Sequence, residues 1–118
     1  EVIPWDYDAT WGRDVNGKVM EEDYLRIEGF NTLTARILDV QVFRQQYKNL
    51  LQQILNDQFH VDYLKPKIQS MHGLIRPYVQ KDPYKKGDIH LFDEEPAYIV
   101  DFIEARANYI RKRLYLLE

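Results

Sequence analysis

Residues 93–117 read DEEPAYIVDFIEARANYIRKRLYLL, and this stretch decides the fold class. Its apolar residues recur at spacings of three and four, as they do on one face of an α-helix: Ile99, Ile103, Ala107, Ile110, Leu114 and Leu117. Asp93 is the predicted N-cap, with Pro96 in the first turn, and residues 111–113 are cationic, as the dipole at a helix C-terminus favours. The stretch therefore predicts a long helix with one buried face.

Two segments before it continue the helical pattern. Residues 42–55 carry an apolar face at the same spacing, formed by Val42, Phe43, Tyr47, Leu50, Leu51, Ile54 and Leu55. A shorter helix is predicted to start at Asn31 or Thr32, either of which can serve as its N-cap, and to run through Val40.

A further helix is predicted after Asp62, which we expect to be its N-cap. Its apolar stripe is Leu64, Ile68, Met71, Ile75 and Tyr78. Pro77 should bend or end this helix, because proline lacks the backbone N–H and crowds the preceding turn. Residues 81–92 contain turn signals and are predicted to form a loop. With three long helices and one short one, the chain is predicted to be mainly α.

The first 29 residues have a different character. Residues 1–6 are predicted to form a short strand, and residues 7–29 are irregular around an Asn16-Gly17 pair that favours a tight turn. A lone strand leaves backbone groups unpaired, so its partners are expected either upstream of Glu1 or in the Asn16-Gly17 hairpin. An unpaired edge could also drive self-association through this strand.

Length and composition limit the possible domain organisation and binding partners. The chain has 118 residues, a length that predicts one domain, 1–118, made of a strand and loop part, 1–29, and a helical part, 30–118. It has a net charge of −3 and no cysteine. The sequence has no basic stripe of the kind that binds nucleic acid. It also has no apolar run of about 18 residues, the length needed to span a membrane. The chain opens without methionine inside a strand-like run, so Glu1 is not expected to be a natural N-terminus.

Asp6 and Asp8 are the candidate metal ligands. In an extended chain, residues two apart point to the same side, so both carboxylates could hold one hard cation such as Mg²⁺. Trp5 and Trp11 flank the pair and favour a partly dry setting. The alternative is that both aspartates are solvated loop residues, and the pattern alone leaves the two interpretations open.

Other kinds of site are poorly supported. His60, His72 and His90 are too far apart in sequence for a zinc motif and are expected at the surface or at helix ends. Ser70 is the only serine and has no base at an interpretable spacing, and the five glycines form no phosphate-binding loop. The nine tyrosines are expected mostly at the edge of the core, with a partner-binding surface as the alternative.

Several segments together resemble the spore coat protein H (CotH) kinase family. They are IPWDYDATWGRDVNGK at 3–18, YLRI at 24–27, NTLTARILD at 31–39, VFRQQY at 42–47, IRPY at 75–78 and DPY at 82–84. The resemblance implies a protein-kinase-like fold and transfer of the γ-phosphoryl group of ATP to proteins, among them spore coat proteins. It also implies synthesis in the mother-cell cytoplasm and location in the spore coat.

The resemblance further implies roles for parts of this chain. Asp6 would be the metal-binding aspartate that follows an apolar strand in kinases, and Asp8 the second choice, with Mg²⁺ or Mn²⁺ and ATP as cofactors. The catalytic base and the nucleotide-covering loop would lie before Glu1. Residues after 30 would be the helical C-terminal part of a kinase-like lower lobe, so the chain alone is expected to have no catalytic residue and no kinase activity.

Two alternatives stay open beside the kinase. The chain could be a non-catalytic helical module that binds spore coat proteins during coat assembly, in which case binding would not depend on Asp6. It could also be a free-standing helical bundle without a ligand, indifferent to Mg²⁺ and ATP.

Overall fold

The computed structural model describes residues 10–14, 16, 18–19 and 31–118. Within these residues, four α-helices are followed by a 3₁₀ helix, Leu114–Leu117. The α-helices are α1 (Thr32–Asp39), α2 (Gln41–Asp57), α3 (Val61–Lys81) and α4 (Ile89–Arg113). The mainly α prediction is therefore confirmed, while the predicted strand at residues 1–6 lies outside the described residues.

The chain divides into two compact units. One comprises Glu1–Leu51 with Ile110–Glu118, and the other comprises Gln52–Tyr109. The sequence-based division of a single domain into residues 1–29 and 30–118 stays a prediction, because most residues before Asn31 lie outside the described part.

Asn31 starts α1 through a reciprocal cap. Its Oδ1 accepts a hydrogen bond of 2.9 Å from the backbone N–H of Thr34, and Thr34 Oγ1 accepts one of 3.4 Å from the backbone N–H of Asn31. Each side chain thus satisfies a backbone donor that the helix leaves unpaired. Of the two predicted caps, Asn31 is confirmed.

Replacing Asn31 by alanine should lower the free energy of unfolding by about 1 kcal/mol, the usual effect of losing a side-chain cap. Asn31→Asp keeps an acceptor at the same place and is the matched control. Urea denaturation of both variants measures the difference. If the alanine variant were as stable as the aspartate variant, the cap would not contribute to stability.

One prediction about α3 is wrong, and a second is contradicted only in part. The N-cap position is held by His60, in an extended conformation, and Asp62 lies in the first turn, where its negative charge still favours the helix N-terminus. Pro77 does not end α3, which continues to Lys81, and a bend at Pro77 stays a prediction. A proline removes only one backbone hydrogen bond, so the remaining hydrogen bonds can carry the helix past it.

The predicted start of α4 is also wrong. The helix begins at Ile89, and Asp88 rather than Asp93 occupies the capping position, its Oδ1 accepting a 3.1 Å hydrogen bond from the backbone N–H of His90. Gly87 precedes it with φ of +86°, a conformation that glycine adopts without strain. Pro96 therefore lies inside the helix rather than in its first turn.

The buried side chains come mostly from α4 and confirm most of its predicted stripe, of which Ile99 and Leu114 are only half-buried. Ile103, Ala107 and Tyr109 are buried in the unit Gln52–Tyr109, together with Leu55 of α2. Ile110 and Leu117 are buried in the other unit. The predicted face of α2 is largely uncovered, because several of its members are exposed: Val42, Phe43, Leu50 and Ile54.

The turn predicted around Asn16 is confirmed in its described residues. The backbone N–H of Asp14 donates to the carbonyl of Lys18 at 2.9 Å, and Arg13 and Val19 form an antiparallel bridge. Asp14 Oδ1 accepts from the backbone N–H groups of Asn16 and Lys18, at 2.9 Å each. The carboxylate of Asp14 thus helps to hold the turn.

Candidate functional site

The predicted metal ligands, Asp6 and Asp8, lie outside the described residues, so their role stays a prediction. Within residues 10–14, 16, 18–19 and 31–118, no group of three or more histidine, aspartate or glutamate side chains is arranged to hold a metal ion. None of the helices in that part is long and apolar enough to cross a membrane.

A polar cluster joins α3 to α4 within the unit Gln52–Tyr109, and Asp93 is at its centre. Arg76 donates from Nε to Asp93 Oδ1 and from Nη2 to Asp93 Oδ2, with both distances 2.7 Å. This two-point pairing of guanidinium and carboxylate fixes both the spacing and the orientation of the two side chains. The pair is part-buried, so water screens it only partly.

His72 extends the cluster by one helical turn. It precedes Arg76 by four residues, which places both on the same side of α3. Its Nε2 lies 3.2 Å from Asp93 Oδ1, and its ring stacks on Phe92 at 4.6 Å between centroids and 19° between planes. The contact with Asp93 lacks the alignment of a hydrogen bond.

Charge pairing keeps Asp93 and Arg76 ionised. Hydrogen bonds from Arg76, with smaller contributions from its charge and from His72, hold the pKa of Asp93 below its usual range. The same carboxylate raises the pKa of Arg76. A carboxylate with a lowered pKa is a poor proton acceptor near neutral pH, so the arrangement favours holding α3 against α4 over acid–base catalysis.

This pairing predicts a loss of stability in acid. A carboxyl group whose pKa is lower in the folded chain than in the unfolded chain stabilises the folded state. This contribution is complete above the unfolded pKa, about 3.9 for aspartate, and is lost as the pH falls through the folded pKa. Asp93 belongs to this class, and so does Asp88, whose pKa is lowered chiefly by the hydrogen bond from the backbone of His90. Asp93→Asn should therefore be less stable than the wild type at pH 7, and the difference should narrow below about pH 4.

Urea denaturation at pH 7 and pH 3 tests this, with the exposed Asp101→Asn on the same helix as the control. An undiminished difference at pH 3 would show that the charge of Asp93 is not what stabilises the fold.

Sequence reasoning missed this cluster. Asp93 was assigned to the helix cap, and the histidines were expected at the surface or at helix ends. His60 and His90 do lie at helix ends, whereas His72 is half-buried in the middle of α3. The available signal was the four-residue spacing of His72 and Arg76, which put two potential carboxylate partners on one side of a helix.

Comparison with known proteins places the chain in a family. The family model described as CotH kinase protein matches residues 1–110. Inner spore coat protein H of Bacillus subtilis (strain 168) is 56% identical over 117 residues, which is 99% of this chain and 32% of that protein. The inner spore coat protein H-like protein of the same organism is 32% identical over 94 residues, which is 80% of this chain and 30% of that protein.

The chain thus spans about a third of the length of the curated relatives that it matches. The family match covers nearly all of this chain, including the segments on which the resemblance was recognised. The chain belongs to the CotH kinase protein family.

Proposed function

We propose that the chain is the C-terminal part of a Mg-ATP-dependent protein kinase that phosphorylates spore coat proteins and supports coat assembly. The observation that carries this proposal is the match of residues 1–110 to the model described as CotH kinase protein. The 56% identity to a protein named inner spore coat protein H supports a place in the spore coat.

Asp6 is the proposed principal metal ligand, and Asp8 the second. Both lie within the matched residues, and two carboxylates are oxygen donors of the kind that Mg²⁺ and Mn²⁺ prefer. A bound divalent ion would offset charge on the phosphate oxygens of ATP, the main electrostatic requirement of phosphoryl transfer. The catalytic base is proposed to lie in a part of the protein outside this chain.

The described helices are proposed to support the site rather than to perform chemistry. Within the unit Gln52–Tyr109, the ion pair between Arg76 and Asp93 fixes α3 against α4. Phosphoryl transfer depends mostly on positioning and charge stabilisation, so rigid helices suit a supporting role in the reaction.

A full-length protein that contains this chain should transfer labelled γ-phosphate from ATP to a coat protein substrate in the presence of Mg²⁺. The isolated chain of 118 residues should transfer none, because the proposed base and nucleotide loop lie outside it. Both preparations are assayed together, with a Mg²⁺-free reaction as the control. Transfer by the isolated chain, free of contaminating kinase, would overturn the proposed division of roles.

The alternative is a non-catalytic helical module for coat assembly. It predicts that the full-length protein binds coat proteins equally well with Asp6 or with Asp6→Asn, and that it transfers no phosphate. A kinase that also docks its substrates keeps such binding but loses transfer in the variant. Measuring both quantities on one pair of proteins separates the two functions.

A further inference from the structure

The turn around Asn16 places an asparagine directly before a glycine. Asn16 is exposed in this turn, and the residue after it, Gly17, has no Cβ. Asparagine is a thermolabile residue, because the backbone nitrogen of the next residue can attack its side-chain carbon Cγ. A glycine at that next position leaves the nitrogen unobstructed, whereas any larger residue crowds it. The pair is therefore a candidate site of spontaneous modification.

The other four asparagines lie in settings that oppose this reaction: Asn31, Asn49, Asn56 and Asn108. The last three are in helices, where the backbone N–H of the following residue is committed to the hydrogen bonds of the helix. Asn31 caps α1, and its Oδ1 accepts a 2.9 Å hydrogen bond from the backbone N–H of Thr34. Among the five asparagines, all of them in the described part of the chain, only Asn16 is in a turn and has a glycine after it.

The contacts of Asp14 make this turn sensitive to the reaction. Asp14 Oδ1 accepts hydrogen bonds of 2.9 Å from the backbone N–H groups of Asn16 and Lys18, which come before and after the bond between residues 16 and 17. A product that lengthens the backbone between these two donors by one methylene group shifts them relative to each other. A new carboxylate at position 16 would also repel the carboxylate of Asp14. The turn should therefore loosen once Asn16 has reacted.

We propose that Asn16 is a modification site at which the chain reacts with itself. The backbone nitrogen of Gly17 bonds to Cγ of Asn16, and its proton passes through solvent to the side-chain nitrogen, which leaves as ammonia when the Cγ–Nδ2 bond breaks. Water then adds to one of the two carbonyl groups of the resulting succinimide ring and opens it to isoaspartate or aspartate. Nothing is oxidised or reduced, and water is the co-reactant. The reaction is intramolecular, so it requires neither a partner protein nor the proposed kinase activity.

The test is storage of the full-length protein at pH 6 and at pH 9, followed by digestion and mass spectrometry, which detects exchange of the amide NH₂ group for a hydroxyl group. Asn16 should convert at least tenfold faster than each of the other four asparagines, with isoaspartate as the larger product. The rate should be higher at pH 9, because the attacking nitrogen must lose its proton.

Two variants identify the attacking group and the attacked group. Gly17→Ala adds a Cβ beside the attacking nitrogen and should slow the conversion at least tenfold. Asn16→Gln keeps an amide but would have to form a larger ring, so conversion at position 16 should disappear. Asn49→Gln, on α2, is the matched control for Asn16→Gln and should leave the conversion of Asn16 unchanged.

Three results would overturn the proposal. They are conversion of Asn16 no faster than that of the helical asparagines, a rate that Gly17→Ala leaves unchanged, and formation of aspartate without isoaspartate, since direct hydrolysis of the side-chain amide forms no ring. Hydrogen exchange at the amides of Asn16 and Lys18, before and after conversion, measures the loosening of the turn. Unchanged exchange would contradict the expected loss of the hydrogen bonds to Asp14.

Discussion

Replacing Ile103 by alanine should lower the free energy of unfolding by about 3 kcal/mol. Ile103 is 0% exposed in α4, and few side chains of the described residues are as fully enclosed. Truncation of a buried isoleucine loses the transfer of its methyl groups out of water and leaves a cavity that neighbouring side chains fill only partly. Because the described core is small, we expect one such cavity to remove a large share of the stability.

Leu91→Ala is the matched control for Ile103→Ala. Leu91 lies on the same helix but is 59% exposed, so its truncation should change the free energy of unfolding by no more than about 0.5 kcal/mol. Both values come from urea denaturation followed by circular dichroism. Equal losses in the two variants would contradict the assignment of Ile103 to the core.

The helices were predictable because their apolar residues repeat with the period of a helix. The stripe of α4 led directly to its buried residues, among them Ile103 and Ala107. The face of α2 has the same period, yet Phe43 and Leu50 are exposed. Period shows which residues share a side of a helix, whereas burial also depends on what packs against that side.

The start of α4 was not predictable from its own residues. Asp88 and Asp93 both have the chemistry of an N-cap, and local sequence does not rank them. In the structure Asp88 caps the helix, whereas Asp93 pairs with Arg76, which lies 17 residues before it in the chain.

The candidate metal site is known only at the level of sequence. The spacing of Asp6 and Asp8 is compatible with two interpretations, a cation site and a solvated loop. The family resemblance favours the cation site. The match to residues 1–110 establishes the family but assigns no role to either aspartate. The contribution of each aspartate to phosphoryl transfer must be measured by substitution.

Asp6→Asn should reduce phosphoryl transfer by the full-length protein roughly 100-fold or more, the scale seen when one preorganised electrostatic group is lost from an active site. Asparagine keeps the size of the side chain but removes the negative charge that would hold a divalent ion against the phosphates of ATP. Asp8→Asn should have the smaller effect, because Asp8 is the second-choice ligand. Asp101→Asn, an exposed substitution on α4, should leave transfer unchanged.

The most direct measurement is the rate of γ-phosphate transfer from labelled ATP by the full-length protein, wild type beside Asp6→Asn, with Mg²⁺ present. Thermal melting first establishes that the variant is folded. Transfer by the wild type and its loss in the folded variant is the predicted result, and would place Asp6 at the metal. Equal rates in the two proteins, or no transfer by the wild type to any coat protein, would contradict a kinase that depends on Asp6.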